Sequence, residues 1–131
     1  MPKSRICGFF YMEKRDYRLP KVRRLRKNRE FQQVYRRGKS YREQDLVLIV
    51  KKGPAGYRVG FTCGKKVGNA VVRNKVRRRM KENFRHMAYR LMGNVDLVFV
   101  ARASAKDADY GRLGKTMEKL LSKAGVIQYN G

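Results

Sequence analysis

Apolar residues recur at helical spacing in three stretches of this chain and gather into strand-like runs in three others. Phe31, Val34 and Tyr35 fall at i, i+3 and i+4, so they share one face of a short helix. Asn28 is its expected cap, Glu30 lies in its positive first turn, and Gly38 is expected to end it with φ above zero. Val72, Val76, Met80, Phe84, Met87 and Leu91 recur at spacings of four and three. That stripe predicts a long helix from Ala70 to Met92, capped by Asn69 and stopped by Gly93-Asn94. Leu113, Met117, Leu120 and Leu121 mark a last amphipathic helix ending near Gly125.

Between the helices, Leu46–Val50 is a continuous apolar run of strand type, and Asp96–Ala101 reads as a buried strand. Gly53-Pro54-Ala55-Gly56 is a turn, after which Tyr57–Thr62 is expected as the returning strand of a hairpin. A strand over Lys39–Tyr41 carries only a weak signal. No internal repeat is present. The order α-β-β-β-α-β-α implies a single small α+β domain, a mixed sheet of about four strands packed by helices. If Tyr57–Thr62 pairs in parallel with Asp96–Ala101, the long helix is their crossover, which the general rule makes right-handed.

Charge turns the question from fold to partner. Lys and Arg number 34 against 10 Asp and Glu, and the sequence pI is about 10.8. Residues 96–131 hold six basic and four acidic residues, so the first 95 hold 28 and six. The segment Gly64–Lys81 gathers Lys65, Lys66, Arg73, Lys75, Arg77, Arg78, Arg79 and Lys81 with no acid among them. Like charges so close repel each other at i, i+3 and i+4, and a polyanion relieves that repulsion. A nucleic acid is the partner this pattern points to. Arg73 falls in the first turn of the long helix, where backbone N–H groups also attract anions. Its planar fork suits phosphate, while Asn74 either bridges phosphate, base edge or hydrated metal, or supplements the helix cap. Phe31 and Tyr35 are open to two roles, as core residues or as stacking surfaces for single-stranded bases; the pattern favours core for Phe31.

Residues 1–20 read as a flexible basic arm and residues 21–131 as the folded domain, with the aperiodic basic character reaching to about Arg26. The apolar cluster Phe9–Met12 is odd in such an arm, and one reading makes Met12 the natural start, with residues 1–11 upstream of it. The apolar patch Ile6–Met12 is too brief to span a membrane and lacks a cleavage site, which points to the cytoplasm. Cys7 and Cys63 form neither a disulfide framework nor a metal pattern. His86 is the single histidine and is expected at the surface; Asp107 and Asp109 are expected to cap the last helix. No residues of the chain are assigned to catalysis or to metal binding. Any chemistry comes from elsewhere.

The run KKVGNAVVRNKVRRRMK resembles the RNR signature of the bacterial ribonuclease P protein subunit, approximately K-K-x-G-x-A-V-x-R-N-x-x-[KR]-R-x-x-[KR]. Lys65, Lys66, Gly68, Ala70, Val71, Arg73, Asn74, Arg77, Arg78 and Lys81 fill its places. LRKNREFQQVYRRGKS precedes it and DLVFVARASA follows, so the likeness runs from Leu25 to Val126. The resemblance implies a monomeric accessory protein whose partners are a catalytic RNA and the 5′ leader of precursor tRNA. Magnesium, held mainly by the RNA, would hydrolyse the phosphodiester. Lys65, Lys66, Arg73, Asn74, Arg77, Arg78 and Lys81 would contact the catalytic RNA, with Lys75 and Arg79 beside them on the same helix. Phe31 and Tyr35 would line the leader cleft, reversing the core assignment of Phe31, and Ile49 would stand where relatives often carry a further aromatic. Cys63-Gly64 replaces a more usual small polar pair. The implied fold has a left-handed crossover, similar to a domain of ribosomal protein S5. The competing reading is a ribosomal or other structural RNA-binding protein with no role in cleavage. A DNA-compacting or membrane-active protein fits less well, because the apolar face of the long helix is needed for the core.

Overall fold

The structure, a computed structural model, describes residues 23–25, 27–54 and 56–127. The arm expected over residues 1–20, the Met12 start and Cys7 lie outside the described residues. Helix α1 (Asn28–Arg37) leads through Gly38 into strand β1 (Lys39–Arg42), followed by β2 (Leu46–Lys52) and β3 (Tyr57–Cys63). Helix α2 (Ala70–Met87), strand β4 (Val95–Ala101) and helix α3 (Tyr110–Ala124) complete the order.

The four strands lie side by side as β1-β2-β4-β3, with β1/β2 and β2/β4 antiparallel and β3/β4 parallel. The expected hairpin of β2 and β3 does not form, because β4 lies between them. The reason is burial: Val95 to Phe99 are all buried, and a strand covered on both faces belongs in the middle of a sheet. The Gly-Pro-Ala-Gly turn reverses the chain without making its flanks neighbours. Helix α2 is, as expected, the crossover between parallel β3 and β4.

Pleating divides the sheet into two faces. One carries Leu46, Leu48, Val59, Leu97 and Phe99 against Val76, Met80 and Phe84 of α2 and Leu113, Met117, Leu120 and Leu121 of α3. At its centre Phe61 stacks on Phe99 with ring centroids 5.8 Å apart, and Phe84 meets both edge-on at 5.8 and 6.0 Å. The opposite face has a smaller cluster of Leu25, Val34 and Val98, with Phe31, Ile49 and Val100 packed against it. Leu25 is 5% exposed, and its N–H donates to the Val59 carbonyl at 2.9 Å. Arg23–Leu25 are thus part of the fold and not of an aperiodic arm.

The helix ends depart from expectation in instructive ways. Lys27, not Asn28, caps α1, and its N–H donates to the Glu30 carboxylate at 3.0 Å. Gly38 is extended at φ −82°, not left-handed. Its glycine is required by proximity, since a Cβ there would stand 2.5 Å from the Val34 carbonyl oxygen and 2.6 Å from Ile49 Cγ2. Helix α2 stops at Met87 and passes into a 3₁₀ turn, Ala88–Arg90, so it is shorter than its apolar stripe. Leu91 leaves the stripe to bridge Ile127, and the Met92 N–H donates to the Val126 carbonyl at 2.8 Å. Asn69 caps α2 and Asp109 caps α3, accepting from Val72 N–H at 3.1 Å and Arg112 N–H at 2.8 Å. Asp107 caps nothing; it ends the 3₁₀ turn before α3.

Asp45, 1% exposed, ties the β1–β2 turn to the start of α3. Arg112 holds it in a fork at 2.8 and 2.7 Å, and the Ser104 hydroxyl donates at 2.7 Å. Burial, the strongest single influence, pushes the Asp45 carboxyl up. Hydrogen bonds from Arg112 and Ser104, with the Arg112 charge, outweigh it and hold the group below its ordinary 3.8. A depressed folded value means stabilisation that is complete above the unfolded pKa and lost as pH falls through the folded one. Asp45→Asn should therefore cost about 1–3 kcal/mol at neutral pH. Melting curves of the two proteins should converge in acid; a gap that stays constant down to the lowest pH would show that the charge is not what stabilises.

Candidate nucleic-acid interface

Phe31 is half-buried, and its ring covers Gly60 on β3. A Cβ at position 60 would stand 2.5 Å from Phe31 Cζ, so only glycine lets the ring lie this close to the sheet. Tyr35, one turn further along α1, is 40% exposed, its ring centroid 6.4 Å from that of Phe31. Ile49 is half-buried on the same sheet face and packs with Phe31 and Val34. The orientation of α1 is set by Arg58. Its guanidinium grips Asp96 at 2.9 and 2.8 Å and Glu30 at 3.0 Å, joining the first turn of the helix to β3 and β4.

Beyond Phe31, an open groove of ≈ 460 Å³ runs along the outer side of β3. Arg24, Leu25 and Phe31 form one wall and Val59, Gly60 and Phe61 the floor. Asn74, Arg77, Arg78 and Lys81 form the other. Four predicted cationic or polar residues therefore meet one predicted aromatic in a single concavity. Tyr35 and Ile49 lie outside its lining. Lys65 and Lys66 are exposed in the turn after β3, and Lys75 is exposed in the first turns of α2. Arg73 is half-buried, with its Nε unpartnered.

Two predicted residues turn out differently placed. Asn74 neither caps the helix nor stands alone: its Oδ1 accepts from the Arg77 guanidinium at 2.7 Å and so orients it. Arg79 donates to the Ala108 carbonyl at 2.9 Å, which binds α2 to the entry of α3. Asn83 reinforces that junction, donating to the Arg79 and Tyr110 carbonyls. Arg79, half-buried, lies outside the lining of the groove. His86 is exposed, as expected. Arg24 was missed, since periodicity cannot register a single parallel bridge; buried Leu25 amid basic residues was the one available signal.

The charges sort into two classes. Glu30 and Asp96 pair with Arg58, Asp45 with Arg112, Glu118 with Arg90, Glu82 with Arg85 and Glu43 with Lys123. Among the described residues, no carboxylate lines the groove. Two cations of α2 also act on Cys63. Burial pushes that thiol up, while Arg77 and Arg73 pull it the other way. Among the described residues, no helix is long and apolar enough to cross a membrane. Nor, among these residues, is any group of three or more His, Cys, Asp or Glu placed to hold a metal ion.

The Phe31–Gly60 contact gives a direct test. Gly60→Ala should displace the ring and cost about 1–3 kcal/mol in denaturant unfolding, with secondary structure retained. Pairing it with Phe31→Leu should recover part of the loss. A lone alanine variant as stable as the parent would mean the ring slides aside without cost.

Comparison with known proteins bears on this arrangement. The family description Ribonuclease P matches residues 19–125. The ribonuclease P protein component of Clostridium botulinum (strain 657 / Type Ba4) is 46% identical over 108 residues, covering 81% of this chain and 97% of that one. Its counterpart in Clostridium perfringens (strain SM101 / Type A) is 44% identical over 110 residues, covering 78% and 88%. The solved Staphylococcus aureus RNase P protein superimposes with a TM-score of 0.76 at 32% identity, over 82% of this chain and all of that one. The Thermotoga maritima protein gives 0.70 at 28% identity, over 76% of this chain and 96% of that one. With the family matched from end to end of the domain, and the same α+β fold found in its solved members, this chain belongs to the ribonuclease P protein family.

Proposed function

We propose that this chain is the protein subunit of a ribonuclease P ribonucleoprotein, binding the catalytic RNA and the 5′ leader of precursor tRNA to promote endonucleolytic 5′ maturation. One observation carries the reading: an unpaired cationic wall on α2 faces an aromatic ring on α1 across one groove. Phosphates suit the wall and unstacked bases suit the ring, and single-stranded RNA presents both.

In this reading the residues bind and orient. Arg78 and Lys81, with Arg77 aimed by Asn74, neutralise backbone phosphates, and Lys65, Lys66, Arg73 and Lys75 extend the basic surface around the start of α2. Arg79 contributes by holding α2 against α3. Phe31 in the groove and Tyr35 one turn beyond it offer rings along which a leader can stack, and Ile49, outside the groove's lining, gives an aliphatic surface on the same sheet face in place of a third aromatic. The hydrolysis is assigned to the RNA subunit with its magnesium. Glu30, Asp96 and Asp45 are each engaged by arginine, so these three carboxylates are not offered to the ion.

The test is cleavage of a 5′-labelled precursor tRNA at low magnesium by protein alone, bacterial ribonuclease P RNA alone, and both together. Enhanced cleavage at the mature 5′ end with both is expected. Tight RNA binding without enhancement would transfer the chain to the structural RNA-binding proteins, and cleavage by protein alone would place an active site within it. Tyr35→Ala should weaken leader-bearing substrate by about 1–3 kcal/mol while sparing mature tRNA. Equal losses on both would make Tyr35 structural.

A further inference from the structure

We propose that Arg24 is a phosphate-binding residue that closes the groove from the side opposite α2, an inference that rests on the groove carrying single-stranded RNA. The backbone places it there. Arg24 bridges Val59 in parallel register, and the next residue, Leu25, is fixed by its hydrogen bond to Val59 and by burial. Its side chain therefore lines the groove across from Asn74, Arg77, Arg78 and Lys81.

The contrast with its neighbour is informative. Arg23 is fully employed by the protein: its guanidinium lies 5.1 Å from the centroid of the Tyr57 ring and donates to the Tyr57 carbonyl at 3.3 Å. Arg24 has a buried Nε with no hydrogen-bond partner, and among the described residues no carboxylate lines the cavity it faces. A buried donor left unpaired is unfavourable, and more so beside other cations. An anion lying between the two walls, held by the terminal guanidinium nitrogens, relieves the like-charge repulsion. A phosphodiester fits that demand, because the apolar floor and the Phe31 ring accept the attached base while arginine forks hold the phosphate from either side. The groove then encloses one strand, with cations on both flanks of its backbone. Neither the aromatic pair nor the α2 motif includes Arg24.

Salt dependence separates this role from a structural one. Binding of the full chain to a single-stranded RNA oligonucleotide is measured over a salt series for the parent, Arg24→Gln, Arg24→Lys and Arg78→Gln, with a thermal melt of each. Arg24→Gln should bind about tenfold more weakly, and its log–log salt slope should fall by ~0.7, the value for one lost contact on a single strand. Arg24→Lys should keep the slope. If Arg78→Gln lowers the slope and Arg24→Gln does not, the role of Arg24 is overturned while the groove reading stands. If neither lowers it, both are overturned. Should Arg24→Gln also melt earlier, Arg24→Lys decides: a retained slope supports the charge at this position, and a slope lost to the same extent overturns it.

Discussion

The geometry of the candidate interface depends on the Arg58 fork. The face of the sheet that carries α1 has only a small apolar cluster, built around Leu25, Val34 and Val98, whereas the opposite face buries two helices and a three-phenylalanine centre. Apolar area alone would hold α1 weakly and leave its rotation poorly specified. Arg58 supplies the missing constraint. It engages Asp96 in the central strand and Glu30 in the helix together, and both carboxylates raise its proton affinity, the Asp96 hydrogen bond foremost. Asp96 is 2% exposed, so removing Arg58 would leave a buried charge with only Lys51, 3.9 Å away. With the first turn pinned this way, Phe31 can lie only over the one position of β3 that has no side chain.

That fork is also the clearest case of how a very basic protein folds at all. With few acids available, those the structure describes go largely to joints between elements: α1 to the sheet, the β1–β2 turn to α3, the end of α2 to α3. The cations joined there are structural. Those along the groove have no carboxylate partner among the described residues, and like charges left so close repel one another, a repulsion that a polyanion would relieve.

The elements legible in the sequence are those whose evidence is local. The stripe from Val72 to Phe84 and the Leu113–Leu121 pattern each name a helix and its buried side, and Asn69 and Gly125 mark where helices begin and end. What was not legible depends on neighbours in space. Nothing in the Gly-Pro-Ala-Gly turn says that a strand more than thirty residues later will be inserted between its two flanks. Gly38 looks like a left-handed helix end, yet it is glycine because Ile49 and the Val34 carbonyl crowd it. The basic motif announces a charged surface, but its spacing does not tell that Arg79 binds α2 to the entry of α3 while Arg78 lines the groove, since both answers suit an arginine. Arg24 could be read only as part of a basic arm until its bridge to Val59 was visible.

The placement of charge at the two margins of the sheet has a consequence for how copies of this protein behave together. A sheet's outer strands expose unpaired backbone groups that can recruit another chain. Strand β1 is only four residues long and carries Lys39 and Arg42 at the surface. Strand β3 is capped along part of its length by Arg24–Leu25 and overlooked by the cations of α2. Two such edges approaching each other would bring like charges together before any ladder could form. Charge at both margins thus opposes edge-to-edge pairing of copies of the chain, and at the β3 margin an anion that neutralised the α2 cations would weaken that opposition.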